Sequence, residues 1–146
     1  MAGTEKKMRV AALAFLLGLA ACAPAAPEQQ LRTRFGQMQT AVEAGRTGEF
    51  MEGVSPEFTG EAAMDRAALH NLLRARTLTN SRLGVTTGPL DVDVQGDNAT
   101  VAFDVVLTAG SGRLLPDQAR AYRVTTAWRT EGGQWRVYHA RWNGTP

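Results

Sequence analysis

Leu31, Phe35, Met38 and Val42 recur at spacings of four, three and four residues, while Arg32, Arg34, Gln37 and Glu43 occupy other faces. A helix has about 3.6 residues per turn, so this spacing predicts an amphipathic helix, interrupted at Gly45 and Gly48. The next apolar positions, Phe50, Met51, Val54 and Phe58, are looser and include Ser55-Pro56 before Gly60. They predict a short helical turn followed by a loop. A further helix is expected over residues 62–77, with Ala68, Leu69, Leu72 and Leu73 as its apolar stripe and Arg66, Arg74 and Arg76 along its borders.

The period then changes to two. Leu90, Val92 and Val94 alternate with Asp91 and Asp93, and Val101, Phe103, Val105 and Leu107 alternate with Ala102, Asp104 and Val106. Further strands are expected over residues 119–130 and 134–142. Gly96-Asp97-Asn98 and Gly132-Gly133 read as hairpin turns, and residues 109–116 as a longer loop. Helices followed by an antiparallel meander make an α+β plan in which the helices cover one face of the sheet.

The turns set a testable register. A two-residue turn at Gly132-Gly133 places Thr130 opposite Trp135, Trp128 opposite Val137, Thr126 opposite His139 and Val124 opposite Arg141. One face then carries Tyr122, Val124, Thr126, Trp128, Trp135, Val137 and His139, and the other Arg123, Arg129, Arg136 and Tyr138. A turn at either Gly96-Asp97 or Asp97-Asn98 keeps Leu90, Val92 and Val94 with Val101, Phe103 and Val105.

The first residues are patterned differently. Lys6, Lys7 and Arg9 precede an apolar run from Val10 to Leu19, too short for the roughly 20 residues needed to span a bilayer. This is the form of an export signal over residues 1–21. Leu19-Ala20-Ala21 is followed by Cys22, the only cysteine of 146 residues, and Leu-Ala-Ala-Cys resembles the bacterial lipobox. The resemblance implies cleavage before Cys22, a diacylglycerol thioether on its sulfur and acylation of the new amino terminus. Ala23, in place of Asp, implies the outer membrane, facing the periplasm. Residues 22–27 form a short Ala/Pro tether and residues 28–146 one domain.

Charge then changes the picture. The chain has 16 basic and 14 acidic residues, but removing residues 1–21 takes away Lys6, Lys7, Arg9 and Glu5, leaving 13 of each. The basic excess belongs to the signal, so nothing points to nucleic acid.

Helices first, then a bent antiparallel sheet ending in the hairpin Trp128-Arg129-Thr130-Glu131-Gly132-Gly133-Gln134-Trp135-Arg136-Val137, resembles the nuclear transport factor 2-like superfamily, shared with ketosteroid isomerase and polyketide cyclases. The resemblance implies a cone-shaped α+β fold with a cavity between helices and sheet. Such a cavity can bind a small apolar ligand, catalyse, or be filled, and fold does not choose among these. The expected lining is Phe103, Tyr122, Trp128, Trp135 and His139. Isomerase-like or cyclase-like catalysis needs a carboxylate base inside, and alternation turns Asp91, Asp93 and Asp104 outward. The only histidines, His70 and His139, lie on separate elements without metal-ligand spacing, and neither metal nor other cofactor is expected. The Gly110-Ser111-Gly112 stretch lacks the strand-turn-helix setting of a hydrolase nucleophile. The expected function is a membrane-anchored, non-catalytic domain that binds a small apolar ligand or an envelope protein, with membrane lipid as partner through Cys22. An enzyme using the same cavity is the alternative, and a homodimer is compatible with the fold.

Overall fold

The computed structural model describes residues 23–79, 82–110 and 118–145. The expected signal, Cys22 and most of the 109–116 loop, including Ser111 and Gly112, lie outside them. Among the described residues no helix is long and apolar enough to cross a membrane.

Helix α1 spans Pro27–Glu43, opening on a proline whose missing N–H costs nothing at a first helical turn. It buries Leu31, Met38 and Ala41. Helix α2, Thr47–Glu52, is one short turn, and it leads into a strand, β1 (Val54–Thr59), where the sequence suggested a loop. β1 is an edge strand paired parallel to the last strand of the sheet. An edge position tolerates Pro56, which has no amide for a ladder. Between them Gly53 closes tightly on α1. A Cβ there would lie 2.2 Å from Met38 Sδ, and the Gly53 carbonyl accepts a hydrogen bond from Val137 N at 2.9 Å.

A single 3-10 turn at Glu61–Ala63 precedes α3, Arg66–Leu78. The helix starts later than the apolar pattern suggests because Ala62 and Ala63 both have positive φ. Asp65 caps it, accepting from Ala68 N at 2.8 Å and satisfying an otherwise orphaned helical amide. None of the α3 side chains is fully buried: Leu69 and Leu73 are half-buried, and Leu72 is exposed.

The remaining strands are β2 (Arg82–Thr87), β3 (Asp91–Gln95), β4 (Asn98–Gly110), β5 (Gln118–Glu131) and β6 (Gln134–Gly144). β2, missed by the alternation rule, pairs with the far half of β4, whose near half pairs with β3. The result is an open, curved, mixed sheet in the order β1-β6-β5-β4-β2. All its pairings are antiparallel except β1 with β6. Both hairpins have two-residue turns, Gln95 pairing with Asn98 and Glu131 with Gln134. Gly132 and Gly133 have φ of 58° and 77°, the left-handed conformation that a type I′ turn requires at both positions.

The β5–β6 register runs as expected from Glu131/Gln134 to Trp128/Val137 and then shifts. The next pair is Ala127 with His139, so β6 advances two residues while β5 advances one. Tyr138 is the extra residue of a bulge. Thr126 therefore faces Ala140, and Val124 faces Trp142, where sequence counting had put His139 and Arg141. Beyond the bulge the two faces of β6 are exchanged.

Candidate functional site

Helix α1 lies over the inner face of β4, β5 and β6, and its apolar stripe builds the core with them. Phe35 meets Phe103 edge-on at 4.9 Å between ring centroids and stands 6.4 Å from Trp128. Trp128 is only 2% exposed, and its Nε1 donates to Thr126 Oγ1 at 2.8 Å, which in turn donates to the Val101 carbonyl at 3.1 Å. This small chain satisfies both buried polar groups.

The core does not close completely. A cavity of about 260 Å³ remains between helices and sheet. From the helical side it is lined by Phe35, Met38, Gln39 and Val42 of α1, with Phe50 and Leu69. Phe103, Val105, Val124, Trp128, Val137 and Ala140 line it from the sheet. β2 contributes Leu83, Val85 and Thr87, and Trp142 and Phe58 complete one side. Among the described residues lining it, the polar side chains are Gln39, Thr87 and Thr126, apart from the indole N–H groups of Trp128 and Trp142; none is ionisable.

Of the five side chains expected to line a pocket, Phe103 and Trp128 do so. Trp135 is buried on the same face but beyond the cavity, under the start of α1, with Nε1 donating to the Pro27 carbonyl at 3.1 Å. Tyr122 keeps the inner parity, opposite Val105 and Gly144 near the far end of β5, and is half-buried outside the lining. His139 is a correction. The bulge at Tyr138 turns it away from the cavity, and Nδ1 lies 2.8 Å from Thr59 Oγ1 on the outer side. Ala140 and Trp142 take the inward places that His139 and Arg141 would have had.

Asp104 faces outward, in an exposed ion pair with Arg123 at 3.1 Å; Asp91 and Asp93 are exposed as well. Among the described residues no group of three His, Cys, Asp or Glu side chains converges.

The main electrostatic cluster is on the outer face, where it ties β1 to β5 and β6. Ser55, fully buried, donates to Glu131 Oε1 at 2.6 Å, and Arg129 bonds Glu131 at 2.7 Å, Glu57, and Ser55 Oγ at 3.2 Å. The Arg129 guanidinium also stands 5.0 Å from the centre of the Tyr138 ring. Its pKa is raised by the hydrogen bonds to Glu57 and Glu131. Burial alone would push the Glu131 carboxyl up. The Ser55 and Arg129 hydrogen bonds, with the charges of Arg129 and Arg136, outweigh that and hold it below its ordinary range. Every acid in this cluster has a cation, so it serves as a staple.

No protein-family model matches the sequence, and no curated protein matches it significantly. Solved structures do match its shape. A nuclear transport factor 2-like protein from Cytophaga hutchinsonii superposes with a TM-score of 0.67 at 10% identity, covering 83% of this chain and 100% of its own. One of unknown function from Pseudomonas putida gives 0.68 at 19% identity, covering 80% and 84%. A superfamily protein from Salmonella enterica gives 0.65 at 16%, covering 81% and 90%. The chain has the nuclear transport factor 2-like fold, and at these identities the likeness is one of fold alone.

Among the cavity residues that the sequence did not mark as lining are Gln39, Thr87 and Trp142. Gln39 follows Phe35 by four residues, which puts it on the border of the α1 stripe, so helical spacing alone could have found it. Trp142 was hidden by the bulge and Thr87 by the unrecognised β2.

Proposed function

We propose that this protein is a bacterial envelope lipoprotein whose domain binds a small apolar ligand. It is held to the outer membrane by lipid on Cys22 and faces the periplasm. The observation that carries the binding reading is the cavity of about 260 Å³, walled by apolar side chains with few polar groups and no ionisable side chain among the described residues. Such a wall favours an uncharged apolar guest and orients it with few hydrogen bonds. It supports binding over proton transfer, which needs a base within reach of the substrate. The anchoring reading rests on the basic, apolar and Leu-Ala-Ala-Cys sequence of residues 6–22.

Size indicates the guest. An engineered apolar cavity of about 150 Å³ holds benzene, so this one has room for about one further fused ring. Naphthalene is the direct probe. Titrated calorimetrically into the full chain in lipid nanodiscs, with empty nanodiscs subtracted, it binds one to one. Ala140→Phe, which projects a ring into the cavity, abolishes the binding. Equal affinity in the folded variant, or no specific binding to the parent chain, would contradict the reading.

A further inference from the structure

Helix α3 carries apolar residues on the side that faces water. A surface helix ordinarily turns its apolar stripe to the core and its polar residues outward, yet α3 fully buries none of its side chains. Arg66, Leu69, His70 and Leu73 are half-buried, and toward solvent stand Ala67, Ala68, Leu72, Ala75 and Leu78, with Asn71 among them. Of the three large apolar side chains exposed among the described residues, two are here, Leu72 at 45% and Leu78 at 79%. At about 100° per residue, Arg74 and Arg76 fall on either side of Ala75 and border this face. Both are exposed, and neither is ion-paired among the described residues. Residues 66–78 hold three arginines and no acid. Asp65 precedes them as the cap, at the end away from Leu78.

We infer that this face docks α3 on an anionic phospholipid surface, an inference that rests on the anchoring reading, which puts the domain beside a bilayer. An apolar face bordered by arginines suits the interface: Leu72 and Leu78 enter the acyl boundary, and the guanidinium groups reach back to the phosphates. The charge is local, since the expected mature chain is neutral while α3 is basic, so anionic lipid is attracted to this helix in particular. Docking also fixes an orientation. Helix α1, with 17 residues, is about 25 Å long. Its start lies at Trp135, whereas Thr77 near the end of α3 stands 3.5 Å from Thr47, just beyond the other end of α1. Residues 22–27 span at most about 17 Å. The anchor and α3 therefore share one bilayer only if α1 lies along its surface. Leu69, on the other side of α3, lines the cavity, which docking brings within about one helix diameter, roughly 10 Å, of the lipid.

The test reconstitutes the full chain in vesicles of phosphatidylcholine with or without phosphatidylglycerol, with a nitroxide-labelled lipid as quencher. An environment-sensitive fluorophore is placed at Leu78→Cys or, as control on the outer face of the sheet, at Asp104→Cys. Both positions are exposed, so neither change threatens folding. With phosphatidylglycerol the Leu78→Cys probe is quenched and the Asp104→Cys probe is not; without it both stay in water. Arg74→Gln and Arg76→Gln each lower the docked-to-free ratio about fivefold. A chain that floats with the vesicles while its Leu78→Cys probe stays unquenched overturns the docking and leaves the anchor standing; a chain that does not float overturns both. Equal quenching at the two positions, equal quenching in neutral vesicles, or quenching that survives both arginine changes also overturns the docking. Shielding of the Leu78→Cys probe only after envelope proteins are added gives the face to a protein instead.

Discussion

His139 Nδ1 lies 2.8 Å from Thr59 Oγ1, on the opposite side of β6 from Ala140, whose side chain lines the cavity. One extra residue, Tyr138, separates the pair that sequence counting predicts from the pair that forms.

That reversal predicts unequal effects at neighbouring positions. His139→Phe removes one exposed side-chain hydrogen bond, worth about 1 kcal/mol, and leaves naphthalene affinity unchanged. Ala140→Phe abolishes binding. Paired titrations with denaturant melts check both, and loss of binding in the His139 variant would place its side chain inward.

Trp128 carries core packing on one side of the cavity and hydrogen-bonds Thr126. Trp128→Ala should lower stability by about 3–5 kcal/mol, as large aromatic truncations in cores do. Urea unfolding monitored by circular dichroism measures it. A midpoint shift no larger than that of an exposed change such as Arg141→Ala would contradict the burial of Trp128.

Glu131 gives a pH signature. Its carboxyl is held below the ordinary range in the folded chain, so the folded state binds fewer protons than the unfolded one as pH approaches the carboxyl pKa from above. The stabilisation is full above the unfolded pKa, near 4.3 for a glutamate, and is lost as pH falls through the folded value. Glu131→Gln should therefore lower the melting temperature at pH 7, with the difference from the parent shrinking below about pH 4. A difference that stays constant or widens with acid would contradict the assignment.

Anchoring is tested by metabolic labelling with a fatty acid. The parent chain should incorporate label and fractionate with the outer membrane. Cys22→Ser should remain an unlipidated precursor, because only the thiol forms the thioether. Equal labelling of the Ser variant would remove Cys22 as the anchor.

Much of the fold was legible because it follows from periodicity. Leu31, Phe35 and Met38 mark α1, and the alternations around Val92, Phe103 and Trp128 mark three strands and their inner faces. Gly132-Gly133 marked the last hairpin because two glycines readily adopt the left-handed pair of a two-residue type I′ turn. What escaped was non-local or irregular. β1 carries a proline and is held by a parallel partner far along the chain, and no local pattern announces such pairing. β2 has two threonines and a glycine among its six residues, which blurs its alternation. The bulge at Tyr138 has no compositional mark, so parity carried past it put His139 inside and Trp142 out of view. At the site, Phe103 and Trp128 were legible as inward aromatics. Gln39 and Thr87 required knowing that β2 lies against α1.

The central claim is that the cavity holds a small apolar ligand in the cell. Native mass spectrometry of the full chain, extracted from its own envelope and ejected from detergent in the gas phase, tests this most directly. The account predicts a noncovalent adduct beyond any acylation of Cys22, at one per chain, absent from Ala140→Phe prepared in the same way. A parent chain with no adduct, or an adduct equally abundant on the Ala140 variant, would contradict it.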